Sequence, residues 1–140
     1  MGLFDVFKGD SAQAMTPKLA FAASLIYMMS SDGQIEEQEI GQLVSAIGGD
    51  RATLDNAVKY VRKNRVDAFL AQAAPILSEP QKLCILSNLC DSLLSDGNAA
   101  PAEQMLFNQF MSAFGVSEER FRPCFEVIAM KNDRSVFGAA

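Results

Sequence analysis

The sequence contains no histidine. That removes the commonest general base at neutral pH and the commonest zinc or copper ligand. An enzyme built from this chain would depend on carboxylates or thiols alone. Cysteine is scarce, with only Cys84, Cys90 and Cys124. Cys84 and Cys90 stand six apart and point in different directions on a helix, so they form neither a CxxC redox pair nor a zinc half-site. An odd count among apolar neighbours predicts reduced, buried thiols in a reducing compartment. No Gly-rich phosphate loop, nucleophile elbow or metalloprotease motif is present, and the chain reads as non-enzymatic. There is no long apolar run. The longest uncharged one, Leu19 to Ser31, falls short of the ~20 residues that a bilayer requires. The segment before it carries Asp5 and Asp10, a poor start for a signal peptide, and Val6 stands where myristoylation wants Ser or Thr. A cytoplasmic protein with no membrane span is expected. There is no excess of positive charge either. A net charge of −5 and a pI near 4.6 repel phosphate, which argues against nucleic acid and favours cations or basic protein patches.

What is present is enough for one core. The 140 residues are 49% hydrophobic and 21% charged, ordinary values for a single globular domain. The most informative feature is an internal repeat. Met28-Met29-Ser30-Ser31-Asp32-Gly33-Gln34-Ile35 returns as Ser92-Leu93-Leu94-Ser95-Asp96-Gly97-Asn98-Ala99, 64 positions on, where Leu25 matches Leu89 and Glu39 matches Glu103. The expected organisation is an N-terminal arm (1–15), a first repeat (16–77), a second repeat (78–131) and a tail (132–140). In the arm, Leu3, Phe4 and Phe7 suit a short helix packed on the domain.

Every segment reads as helix, and none alternates with period two. Thr16 and Pro17 suit an N-cap and first helical position. The helix they open carries one charge, Lys18, and is apolar nearly all round as far as Ser31, which places it centrally. Asp32-Gly33 ends it. A second helix runs from Glu37 to Ile47 with Ile40, Leu43, Val44 and Ile47 inward, and stops at Gly48-Gly49. Asp50 caps a third, with Leu54, Val58 and Val61 inward. Asn64 is the candidate cap of a fourth, which carries Phe69, Leu70 and Ala73 and ends at Pro75. In the second copy, Ser78-Glu79-Pro80-Gln81 has capping-box spacing and opens another apolar helix, to Leu94. The helix from Pro101 turns Met105, Leu106, Phe110 and Met111 inward and stops at Gly115. The last, capped by Ser117, turns Phe121, Phe125, Ile128 and Ala129 inward. The fold class is therefore all-α, a compact bundle of about seven helices, with duplicated helix–loop–helix units around two central apolar helices.

The two Asp-Gly turns are the candidate site. The run Asp32-Gly33-Gln34-Ile35-Glu36-Glu37-Gln38-Glu39 matches the second half of a calcium-loop pattern. The first half is missing, because Met28 and Ser30 stand where oxygen ligands belong. Two readings of these acids stay open. Asp in a turn and Glu in a first helical turn are what capping and the helix dipole favour without a ligand. Equally, Asp32, Glu36 and Glu39 can cluster at one helix start and hold a hard divalent cation, calcium or magnesium, weakly. Arg62, Lys63 and Arg65 suit the negative end of a helix dipole. The methionines suit core filling or an adaptable groove for a partner protein. Tyr27 and Tyr60 suggest no partner in sequence.

An apolar helix ending in an acidic Asp-Gly turn and followed by a Glu-rich helix start, present twice, resembles the TerB family. That family includes tellurite-resistance proteins and a domain of DnaJ-type co-chaperones. Met29 to Glu39 carries the likeness, with Leu94-Ser95-Asp96-Gly97 and Glu103 as its echo, and it covers about Thr16 to Ala129. It implies a duplicated all-helical domain, a role in stress or tellurite resistance, and divalent-metal binding by acids that fall on Asp32, Glu36, Glu39, Asp96 and Glu103. The chain departs from the pattern at Glu36, where a small capping residue is usual. It departs again at Ala99-Ala100-Pro101-Ala102, which replaces the second Glu-rich start and puts a complete second metal site in doubt.

Overall fold

The structure is a computed structural model that describes residues 14–30, 43, 45, 48, 50–95 and 99–138. Among these are six α-helices, two short 3-10 turns and no strand. Helix α1 (Pro17–Met29) starts as its sequence dictates. Extended Thr16 accepts the Leu19 N–H on Oγ1 at 3.1 Å, and Pro17 fills the first position. Nine of its residues between Leu19 and Met28 are buried, so it is enclosed on nearly every side. Ser24 is the one buried polar residue among those described, and its hydroxyl is satisfied by the Ala20 carbonyl at 2.6 Å. A hydroxyl bonded back to its own helix adds little cost in an apolar core.

Helix α2 (Arg51–Lys63) is capped by Asp50, which accepts the Thr53 N–H at 3.0 Å and the Thr53 hydroxyl at 2.7 Å. Helix α3 (Val66–Ala73) passes into a 3-10 turn, Ala74–Ile76, at Pro75. Helix α4 (Glu79–Ser95) opens with a reciprocal cap. The Ser78 N–H donates to Gln81 Oε1 at 2.9 Å, and the Gln81 N–H donates to Ser78 Oγ at 3.2 Å, as the spacing predicts. Helix α5 (Pro101–Phe114) ends at Gly115, and helix α6 (Glu118–Asn132) is capped by Ser117 on the Arg120 N–H at 3.1 Å. No described helix is long and apolar enough to cross a membrane.

Helices α1 and α4 pack against each other at the centre. Helix α2 lies along α1, α6 and α5 lie along α4, and α3 bridges α1 and α5. The pairs α1–α2 and α4–α6 thus occupy matching places. Their detail matches too. Gly48 and Gly115 both adopt left-handed φ, +74° and +68°, and donate N–H to Ser45 and Ser112 carbonyls at 3.2 and 3.1 Å. Only glycine does this without strain. Two positions after each glycine comes the cap, Asp50 or Ser117. The Asp-Gly turns stand 64 positions apart and these glycines 67, so the second copy carries three extra residues between them. An ion pair from the start of the central helix to the start of the third helix recurs with reversed sign, Lys18–Asp50 in one copy and Glu79–Arg120 in the other.

The two copies meet in an aromatic cluster. Phe69 is fully buried, with ring centroids 5.1 Å from Tyr27, 5.9 Å from Tyr60 and 6.1 Å from Phe110. These four rings come from α3, α1, α2 and α5, so one side chain ties both repeats together.

Several expectations need correction. The N-cap of α3 is Arg65, and Asn64 instead closes α2, its Nδ2 donating to the Tyr60 carbonyl at 2.9 Å. In α2, Ala57 and Tyr60 join Leu54 in the core while Val58 and Val61 are half-buried. Met105 is 72% exposed and Phe125 45% exposed. Each lies off the sides of its helix that pack on the bundle, so it stays in solvent. Cys90 is buried, but Cys124 is half-buried and Cys84 exposed, because Cys84 lies outside the face of α4 that carries Ile85, Leu86, Leu89, Cys90 and Leu93. Of the helix expected from Glu37 to Ile47, Leu43 is helical and buried and Ser45 is helical. Ile40, Val44 and Ile47, with Leu3, Phe4 and Phe7 of the arm, lie outside the described residues.

Candidate functional site

Helix α1 delivers the chain to the first acidic turn. The Ser30 N–H and hydroxyl both donate to the Ile26 carbonyl, at 2.9 and 2.7 Å, and the chain leaves the helix two residues before Asp32. It is back in the core at Leu43, 1% exposed. The segment that carries Asp32, Glu36 and Glu39 therefore joins two core-anchored points. Those three acids, and Asp96 of the second turn, lie outside the described residues.

Glu103 is described, and it acts as a cap. It is the third residue of α5, and its Oε1 accepts the Ala100 N–H at 3.3 Å. Ala100 has no side-chain oxygen to return the bond, so only half a capping box forms. Gln104 adds a bond from Nε2 to the Ala99 carbonyl at 2.9 Å. A negative group here also complements the helix dipole. The second turn thus uses its trailing Glu to start a helix, which is the ligand-free reading. Among the described residues, no three carboxylates or thiols lie close enough to hold a metal.

Several other polar groups serve the fold. Tyr27, unassigned in sequence, donates its hydroxyl to the Asn64 carbonyl at 2.6 Å, and Tyr60 donates to Gln72 Oε1 at 2.6 Å. Burial pushes both phenols above their ordinary range. The Cys90 thiol is pushed up to about 11, first by burial and then by nearby Asp91, so it stays protonated at neutral pH and is a poor nucleophile. Arg62 and Lys63 occupy the last turn of α2, as their charge predicts.

Two apolar grooves flank this framework. One, of about 430 Å³, opens at the end of α1 between Tyr27, Ser30, Val66, Met105, Leu106 and Gln109. It adjoins the point where the chain leaves for Asp32. The other, of about 270 Å³, lies between α5 and α6 and is walled by Phe107, Met111, Phe121 and Phe125, with Glu118 and Arg122 at its rim. Sequence periodicity did not reveal either, since each depends on how two helices splay apart.

A family model described as tellurite resistance protein TerB matches residues 18–124. It spans five of the six helices and enters the sixth. No curated protein and no solved structure matches the chain.

Proposed function

The chain belongs to the tellurite-resistance protein TerB family, and from that premise we propose that it is a non-enzymatic, stress-associated protein that binds a divalent cation at its first Asp-Gly turn. Asp32, Glu36 and Glu39 are the ligands, with calcium or magnesium as the ion. One observation carries the reading. Between Ser31 and Asp50 the chain has four carboxylates and no Lys or Arg, and the four fall within eight residues. Such a cluster repels itself, and a cation relieves the repulsion. Asp96 and Glu103 are left out of the site in this reading, because Glu103 is engaged as a cap and Ala99-Ala100-Pro101-Ala102 supplies no oxygen side chain.

The test is calorimetric titration of calcium and of magnesium into the protein, with melting followed in parallel. Heat of binding and a raised melting temperature support the proposal. Asp32→Asn/Glu36→Gln/Glu39→Gln abolishes both. No heat and no shift at millimolar cation removes it. The walls of the groove between α5 and α6 favour a second reading, a module that takes an apolar segment of a partner protein without metal. In that case Phe107→Ala impairs partner capture while cation titration gives nothing.

A further inference from the structure

Helix α2 carries more positive charge than its end requires. Lys59, Arg62 and Lys63 are exposed on it, and exposed Arg65 follows at the start of α3. The run from Lys59 to Arg65 holds four cations and no acid, in a chain of net charge −5. The helix dipole acts only within the last turn, so it accounts for Arg62 and Lys63 but not for Lys59 or Arg65. None of the four forms an ion pair with another described residue, whereas Lys18, Arg51, Arg120 and Lys131 each hold an acid.

At 3.6 residues per turn Lys59, Arg62 and Lys63 fall within about 100° of one another. They share the outward face of α2 with Arg51, whose charge Asp55 balances at 3.4 Å. Along this face runs a furrow of about 290 Å³, walled by Arg51, Asp55, Lys59 and Arg62 over Leu54 and Val58. Cations beside an apolar floor fit a segment that is both acidic and apolar. Its carboxylates take Lys59, Arg62 and Lys63, and one aliphatic side chain enters the furrow.

Two observations separate this occupant from other anions. With four cations gathered here, the rest of the chain is more acidic than its net charge. A nucleic-acid duplex or an anionic bilayer extends past the cluster and meets that repulsion, which a short segment avoids. Nor does α2 present an exposed large apolar residue that could enter a bilayer.

We propose that the outward face of α2 binds an acidic amphipathic segment of a partner protein. The inference stands apart from cation binding at the first turn.

Fluorescence polarisation of a labelled peptide of Glu, Leu and Ala in helical spacing, about 15 residues long, tests this on the full chain. The peptide binds at high micromolar protein, and the same peptide with Gln in place of Glu does not. Lys59→Gln/Arg62→Gln/Lys63→Gln weakens binding by about tenfold, as does a rise from about 50 mM to about 500 mM salt. All three positions are exposed, so circular dichroism of that variant matches the wild type. No binding at about 1 mM protein overturns the proposal. So does binding that the triple variant retains, because the contact then lies elsewhere. Vesicles of phosphatidylserine and phosphatidylcholine and a DNA duplex are titrated beside the peptide, and tighter binding to either contradicts the assignment. Self-association that the triple variant abolishes also contradicts it, because a second copy is then the occupant.

Discussion

Replacing Phe69 by Ala strikes a side chain at the junction of the two repeats. Phe69 is fully buried and its ring lies within 6.1 Å, centroid to centroid, of Tyr27, Tyr60 and Phe110. Burying a Phe and then leaving the hole costs about 3–5 kcal/mol. Each lost edge or tilted ring contact adds about 0.5–1.5 kcal/mol beyond the buried area. The contacts overlap, so the sum is not simply additive, and a loss near 5 kcal/mol is expected. For a single domain of this size that is a drop in melting temperature of about 15–25 °C. Phe69→Leu keeps most of the volume and costs about 1–2 kcal/mol. The assay is urea unfolding followed at once by tyrosine fluorescence and far-ultraviolet circular dichroism. Because α1 and α4 still pack on each other without the ring, the two probes stay coincident in the variants and the slope is unchanged. A loss below about 1 kcal/mol for Phe69→Ala, or separate transitions for the two probes, refutes the reasoning that one core unites the halves.

Three further outcomes follow from individual contacts. Ser117→Ala removes the cap of α6 and lowers stability by about 1 kcal/mol in urea unfolding. Alkylation under native conditions labels exposed Cys84 first and Cys90 last, since Cys90 is buried with its thiol raised to about 11; mass spectrometry of the digested protein reads the order. Asp50 and Asp91 are held below the ordinary carboxyl range, Asp50 first by its hydrogen bond with Lys18 and Asp91 first by its bond with Asn132. Both groups bind protons more readily unfolded than folded, so their contribution is complete above the unfolded value of 3.8 and is lost as the pH falls through the lower folded values. Asp50→Asn/Asp91→Asn therefore flattens the acid limb of the stability–pH curve. An unchanged limb sinks that assignment.

The fold was legible where local chemistry decides it. Thr16-Pro17, the Ser78–Gln81 box and Ser117 each mark a helix start, because a cap needs only a side-chain oxygen and N–H groups two or three residues on. Helix α1 was legible as central because too few polar residues exist to give it a wet face. What failed depends on neighbours. The period of 3.6 identifies the apolar stripe of α6 but not which part of it α4 covers, so Phe125 looked buried and Val127 was passed over. Asn64 resembled a cap for α3 and closes α2 instead, since its amide finds the Tyr60 carbonyl behind it. The partner of Tyr27 lies 37 residues away on a backbone carbonyl, which no spacing rule reaches. At the acidic turns, sequence alone weighed caps against ligands. Glu103 resolves as a cap because the N–H of Ala100 lies within its reach.

The cation proposal separates the two turns, and backbone amide chemical shifts follow both in one experiment. Calcium titrated into isotopically labelled protein should move the amides of residues 31 to 42 in a saturable way and leave those of Ala99 to Glu103 unmoved. Shifts confined to the second turn, or none at either turn with millimolar calcium, contradict the assignment of the cation to Asp32, Glu36 and Glu39.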